Sequence, residues 1–110
     1  MRGTLPFGGL SWQTLLAVHR LRGNAYGVTI RQEISSRMGR EIAVGAVYTT
    51  LTRLERDGLL SSYEGEPTSE RGGRAKRFYQ LTASGISAMQ ASARSAEEVR
   101  ASALEDLVLT

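Results

Sequence analysis

The apolar residues of this chain change period just after Gly58, and that change limits the fold more than any other feature. Upstream, three stretches carry helical spacing. In "LSWQTLLAVHRL", Leu10, Trp12, Leu15, Leu16, Val18 and Leu21 surround most of a helix, a surface wide enough for burial on more than one side. "RGN" interrupts the pattern, Asn24 is placed to cap a second helix, and Ile30, Ile34 and Met38 recur at spacings of four until Gly39. A short extended piece, "REIAV", leads to a third helix over residues 44–57. Its Val47, Leu51 and Leu54 share one face, and Gly58 stops it where left-handed backbone is favoured. Downstream, "LLSSYEGE" and "KRFYQL" read as short strands. Between them "PTSERGGRA", with Pro67, Gly72 and Gly73, is the loop of a long-tipped hairpin. Thr82 then caps a last helix reaching almost to the C-terminus, and Gly85 in its first turn weakens that helix slightly.

Three helices followed by a two-stranded hairpin is the order of a winged helix-turn-helix, in which the third helix enters a major groove and the hairpin flanks it. The expected class is α+β, mainly α, with residues 1–82 forming a DNA-binding domain and residues 83–110 a dimerisation helix. The outer face of the third helix fits that role. Gly45, Tyr48, Thr49 and Thr52 are small or hydroxyl-bearing, Arg53 follows, and no acid stands among them. Gly45 allows close approach to DNA, while the hydroxyls can donate to phosphate oxygens or touch a thymine methyl. The plainer alternative is a solvated face whose Tyr48 packs its ring on the hairpin. In the hairpin loop "RGGRAKR", Arg71, Arg74, Lys76 and Arg77 flank Gly72 and Gly73, a composition suited to phosphates or a narrow minor groove. Glu64, Glu66 and Glu70 just upstream cancel part of that charge.

The last helix carries Ile86, Met89, Ala93, Ala96, Val99, Ala103 and Leu107, seven residues separated by about 3.5 positions on average, the period of a seam that looks for another helix. Alanines bury little area, so larger residues must complete the contact. Leu10, Trp12 and Leu16 of the first helix are the candidates, and a homodimer is the expected assembly.

Other chemistries are excluded or poorly supported. The chain has 110 residues, enough for one modest core. It has no cysteine and one histidine, His19, so thiolate metal sites, disulfides and a cysteine nucleophile are ruled out, and no second histidine exists to share a metal. No carboxylate pair, phosphate-cradling glycine loop or nucleophile elbow is present, so no catalytic residue, metal or cofactor is assigned. A net charge of +3 is mild support for a polyanionic partner. With no long apolar run and no signal-peptide pattern near the N-terminus, a cytoplasmic protein without a membrane partner is expected. A winged-helix module that binds protein instead of DNA is the rival reading, and an exposed apolar patch on the third helix would favour it.

"AYGVTIRQEI", "GAVYTTLTRLERDGLL" and "GEPTSERGGRAKRFYQLTASG" together resemble the PadR family of transcriptional regulators, and more narrowly its short acidobacterial PadR-like group. The resemblance implies a homodimeric, signal-responsive repressor on a pseudo-palindromic double-stranded operator, with a small-molecule effector of unidentified chemistry as a further partner. It places Tyr48 at the family's characteristic tyrosine and Gly72, Gly73 and Arg74 at its wing tip. The chain departs from the pattern in two places. Ala43 stands where a serine-like cap is common, and the last helix has no aromatic residue of the kind on which multidrug-sensing relatives stack flat ligands. That leaves Trp12 as the aromatic side chain for any other ligand cavity.

Overall fold

The computed structural model describes residues 5–66 and 75–109. In chain order they form α1 (Leu10–Leu21), α2 (Gly27–Met38), α3 (Val44–Arg56), β1 (Leu60–Glu64), β2 (Arg77–Leu81) and α4 (Ala83–Leu109). The two strands make one antiparallel sheet, so the fold is four helices with a hairpin, mainly helical. Leu15 and Val18 of α1, Ile30 and Ile34 of α2, and Val47, Leu51 and Leu54 of α3 meet Leu60 and Tyr79 in one core. Each large aliphatic side chain removed from water there contributes about 1.5–3 kcal/mol.

The turn between α1 and α2 does not use Asn24 as the helix cap. Ala25 is fully buried, and its carbonyl accepts the Tyr79 N–H at 2.8 Å, so residues 25 and 26 run extended along the outer edge of β2. The helix therefore starts only at Gly27, after Tyr26. Thr29, from inside the first turn, accepts the Tyr26 N–H at 3.0 Å and donates to the Asn24 carbonyl at 2.6 Å. This pairing also covers a strand edge that would otherwise present free hydrogen-bonding groups.

Ala43 gives α3 no side-chain cap. Its entry is held instead by α2, where Ser35 Oγ accepts the Ile42 N–H at 3.1 Å and Arg31 Nε donates to the Ile42 carbonyl at 2.6 Å. At the far end Gly58 takes φ +79°, and Leu59 N–H returns to the Leu54 carbonyl at 2.9 Å. The hairpin then pairs Leu60 with Leu81, Ser62 with Tyr79, and Tyr63 with Phe78.

Thr82 caps α4 as expected, accepting the Gly85 N–H at 3.0 Å while donating to the Gly58 carbonyl at 2.6 Å. Gly85 is more than a slight weakness. A Cβ there would overlap the Leu59 carbonyl oxygen, so its absence lets the start of α4 lie close against the turn that joins α3 to β1. Met89 packs partly on the core, and Ser92 Oγ donates to the Leu5 carbonyl at 2.9 Å. Beyond Ala96 the described side chains of α4 are exposed. A helix of 27 residues is about 40 Å long, which accounts for much of the 63 Å long axis of the molecule.

Candidate nucleic-acid interface

Because α3 buries Val47, Thr50, Leu51 and Leu54, its opposite side is left outward. Gly45, Tyr48, Thr49, Thr52 and Arg53 all lie there and are exposed. Thr50 points inward, satisfying its hydroxyl on the Ala46 carbonyl at 2.8 Å. Nothing lies within 4 Å of where a Cβ on Gly45 would sit, so the free fold does not need a glycine at this position. No acid occupies the first turn of α3, and Arg53 and Arg56 fill its last turn. Arg53 is tethered across the surface, Nη2 to Ser11 Oγ at 3.3 Å. Tyr48 is 47% exposed, and its ring rests over Gly27 at the start of α2, close enough to Tyr79 of the hairpin to add to the rise in that phenol's pKa. Val44 is 50% exposed one turn before Tyr48 on the same stripe. Its i, i+4 spacing to Tyr48 is the sequence signal that places it on that face.

Of the proposed wing residues, Arg71, Gly72, Gly73 and Arg74 lie outside the described residues. Lys76 and Arg77 are described; Lys76 lies over Tyr26, ahead of α2, and Arg77 lies against the hairpin stem. Lys76 Nζ sits 4.4 Å from the centre of the Tyr26 ring. Arg77 Nη1 donates to Ser62 Oγ at 2.8 Å, Ser62 in turn donates to Glu55 Oε2 at 2.5 Å, and Glu64 lies 4.0 Å from Arg77. That chain ties the hairpin to the last turns of α3. Phe78 is gripped on two sides, by Tyr26 edge-on at 5.4 Å and by Tyr63 stacked at 5.7 Å. Gly65 leaves room for the Phe78 ring, since a Cβ there would come within 2.5 Å of it. Burial raises the Tyr79 phenol above its ordinary pKa, Glu55 adds to the rise, and Arg77 opposes it.

The proposed dimerisation residues divide into two groups. On α1, Leu10, Trp12 and Leu16 are half-buried, and Trp12 packs against Phe7 with ring centres 4.6 Å apart. On α4, Met89 and Ala96 are half-buried, whereas Ile86, Ala93, Val99, Ala103 and Leu107 are exposed. Leu104 and Val108, at 49% and 82% exposure, extend this apolar surface beyond the expected seam. A groove of about 390 Å³ between residues 5–7 and α4 is lined by Phe7, Ser92, Ser95, Ala96 and Val99, with Trp12 outside its lining. His19 is exposed beside Arg20, and among the described residues no group of histidines and carboxylates could hold a metal. No helix among them is long and apolar enough to cross a membrane.

Residues 15–91 match the Transcriptional regulator PadR-like family. Transcriptional regulator Rv3488 of Mycobacterium tuberculosis is 37% identical over 81 residues, which is 74% of this chain and 71% of that protein. Among solved structures, a PadR-like transcription factor from Bacteroides fragilis superposes with TM-score 0.74 at 27% identity, covering 87% of each chain. Bacillus subtilis PadR in complex with operator DNA superposes with TM-score 0.61 at 19% identity, over 74% of this chain and 44% of that one, a likeness of fold alone.

Proposed function

The chain belongs to the PadR-like family of transcriptional regulators, and on that premise we propose that it acts in the cytoplasm as a homodimeric repressor on a pseudo-palindromic operator. As a member of that family it is a regulator and not an enzyme. In the proposal the face of α3 bearing Gly45, Tyr48, Thr49, Thr52 and Arg53 enters the major groove. The wing, with Arg71, Gly72, Gly73, Arg74, Lys76 and Arg77, lies along adjacent phosphates or the minor groove. The outer half of α4, with Leu10, Trp12 and Leu16 of α1, joins two copies.

The observation that carries the reading is Gly45. The fold gives it open space and no unusual backbone, so nothing among the described residues calls for the missing side chain. A partner that must approach the α3 backbone closely supplies a reason. The neighbouring hydroxyls and the absence of acid in the first turn suit a partner made of phosphates and base edges. A protein partner is the poorer fit, since Thr49, Thr52 and Arg53 make most of this face polar.

Footprinting of the DNA around the chain's own promoter tests the proposal. It predicts two protected half-sites about one helical turn, roughly 34 Å, apart. Uniform or absent protection at concentrations that saturate the protein would contradict it.

A further inference from the structure

Gly27 opens α2 and is buried, and its surroundings are unusual. The three heavy atoms nearest to a Cβ built on it all belong to Tyr48: the phenol oxygen, Cζ at 2.5 Å and Cε1 at 3.0 Å. The phenol oxygen is the closest and would overlap that carbon outright. Gly27 has ordinary backbone, outside the left-handed region that demands glycine. Helix propensity itself favours alanine over glycine. What the missing side chain provides is a notch, and the end of the Tyr48 side chain occupies it.

We propose that Gly27 is a positioning residue for Tyr48, and that its lack of a side chain fixes the direction in which the α3 tyrosine presents its hydroxyl. The inference rests on the reading that the outer face of α3 meets DNA. Tyr48 is rooted on α3 and reaches across to α2, so its ring is steered by the groove between the helices. The phenol oxygen is the far end of a long lever, so a modest swing of the side chain within its rotamer well moves it by an ångström or more. A methyl group at residue 27 therefore has to push the phenol oxygen aside by an ångström or more. Displacement of that size breaks a hydrogen bond, whose donor–acceptor distance tolerates only a few tenths of an ångström. The atom displaced is the far end of a side chain and not backbone, so the core beneath has no need to change.

The test uses full-length Gly27→Ala, Tyr48→Ala and the double variant, measuring thermal midpoint and affinity for the footprinted duplex by fluorescence anisotropy. Gly27→Ala is expected to melt at or above the parent temperature and to bind the duplex about tenfold more weakly, the loss that follows when a hydrogen bond to a charged group disappears. Tyr48→Ala should lose a similar factor, and the double variant should bind no more weakly than Tyr48→Ala alone. If Gly27→Ala melts lower, Tyr48→Ala in the same chain should restore the midpoint; failure to restore it overturns the proposal. Parental affinity for Gly27→Ala beside a weakened Tyr48→Ala overturns the positioning role and leaves the DNA reading intact. So does a multiplicative loss in the double variant. Parental affinity for Tyr48→Ala removes the tyrosine from the interface and the proposal with it.

Discussion

Among the exposed helical faces of the described residues, the outer side of α3 and the outer half of α4 differ in their apolar content. On α3 the exposed side chains are Tyr48, Thr49, Thr52, Arg53 and Arg56 around a bare Gly45, with Val44 as the aliphatic exception. On α4 they include Val99, Leu104, Leu107 and Val108, among alanines and the charged residues Glu97, Glu98, Arg100, Glu105 and Asp106. Both helices anchor one end or side in the same core, through Leu51 and Leu54 on α3 and through Met89 on α4. The difference shows what each face lacks. Apolar side chains left in water gain free energy by meeting other apolar surface, and alanines beside them let a second helix approach closely. Hydroxyls, arginine and a bare backbone gain nothing from such a surface, and gain hydrogen bonds from phosphate oxygens and base edges.

The largest effect is expected on α4. Val99→Glu combined with Leu104→Glu places charges on the apolar face without touching the core, and should turn a dimer into a monomer in sedimentation velocity. Operator affinity should then fall roughly hundredfold or more, because the second half-site is no longer held at high effective concentration. A dimer that survives both charges would show that α4 does not join the copies. Next in size is Thr52→Ala on α3. Competition between operator and random duplex should show the operator's advantage reduced about fivefold, with the salt dependence unchanged. Equal weakening on both duplexes would make Thr52 a phosphate contact instead.

The wing gives a smaller and different signature. Arg74→Ala should weaken operator and random DNA by similar factors. With two wings per dimer, the slope of log affinity against log salt should drop by about 2. An unchanged slope would leave the wing as a solvated surface and shift the burden of affinity onto α3.

Much of this arrangement was legible in the chain. Gly58 and Thr82 announced their turns because a left-handed cap and a hydroxyl cap are local events, decided by residues one to three positions away. The apolar period of α3 likewise placed Tyr48, Thr49 and Thr52 outward. What escaped was long-range. Asn24 had the chemistry of a cap, but the pairing of Ala25 with Tyr79, distant in sequence, delayed the helix to Gly27. Gly85 reads as slightly unfavourable and Gly27 carries no signal of its own, because the atoms that exclude a Cβ come from Leu59 and Tyr48. Lys76 and Arg77 carried the right charge for a wing, while the ring and the hydroxyl that hold them belong to Tyr26 and Ser62. On α4, Leu104 and Val108 fell outside a strict seam although the whole outer half is exposed.

The smallest expected effect lies in the body that carries both faces. Tyr79 is buried, and its phenol pKa is raised above 10.0 chiefly by burial. The neutral phenol is thus favoured in the folded chain. Its contribution to stability is full below about pH 10 and is lost as pH rises through the raised folded value. Tyr79→Phe should flatten the alkaline fall in thermal midpoint while leaving neutral-pH affinity for DNA within about twofold, since it keeps the buried ring and removes only a hydroxyl whose link to the α3 face is a minor electrostatic one through Tyr48. A fall of the same steepness in the variant would assign the alkaline sensitivity to another group.

The contrast between the two faces is tested most directly by a photo-cross-linking amino acid placed at Thr49 in the full-length protein, irradiated with the footprinted duplex and cell extract together. The account predicts covalent capture of a DNA strand, sensitive to competition by unlabelled operator and lost at high salt. Capture of a protein at Thr49, with the duplex left free, would contradict it.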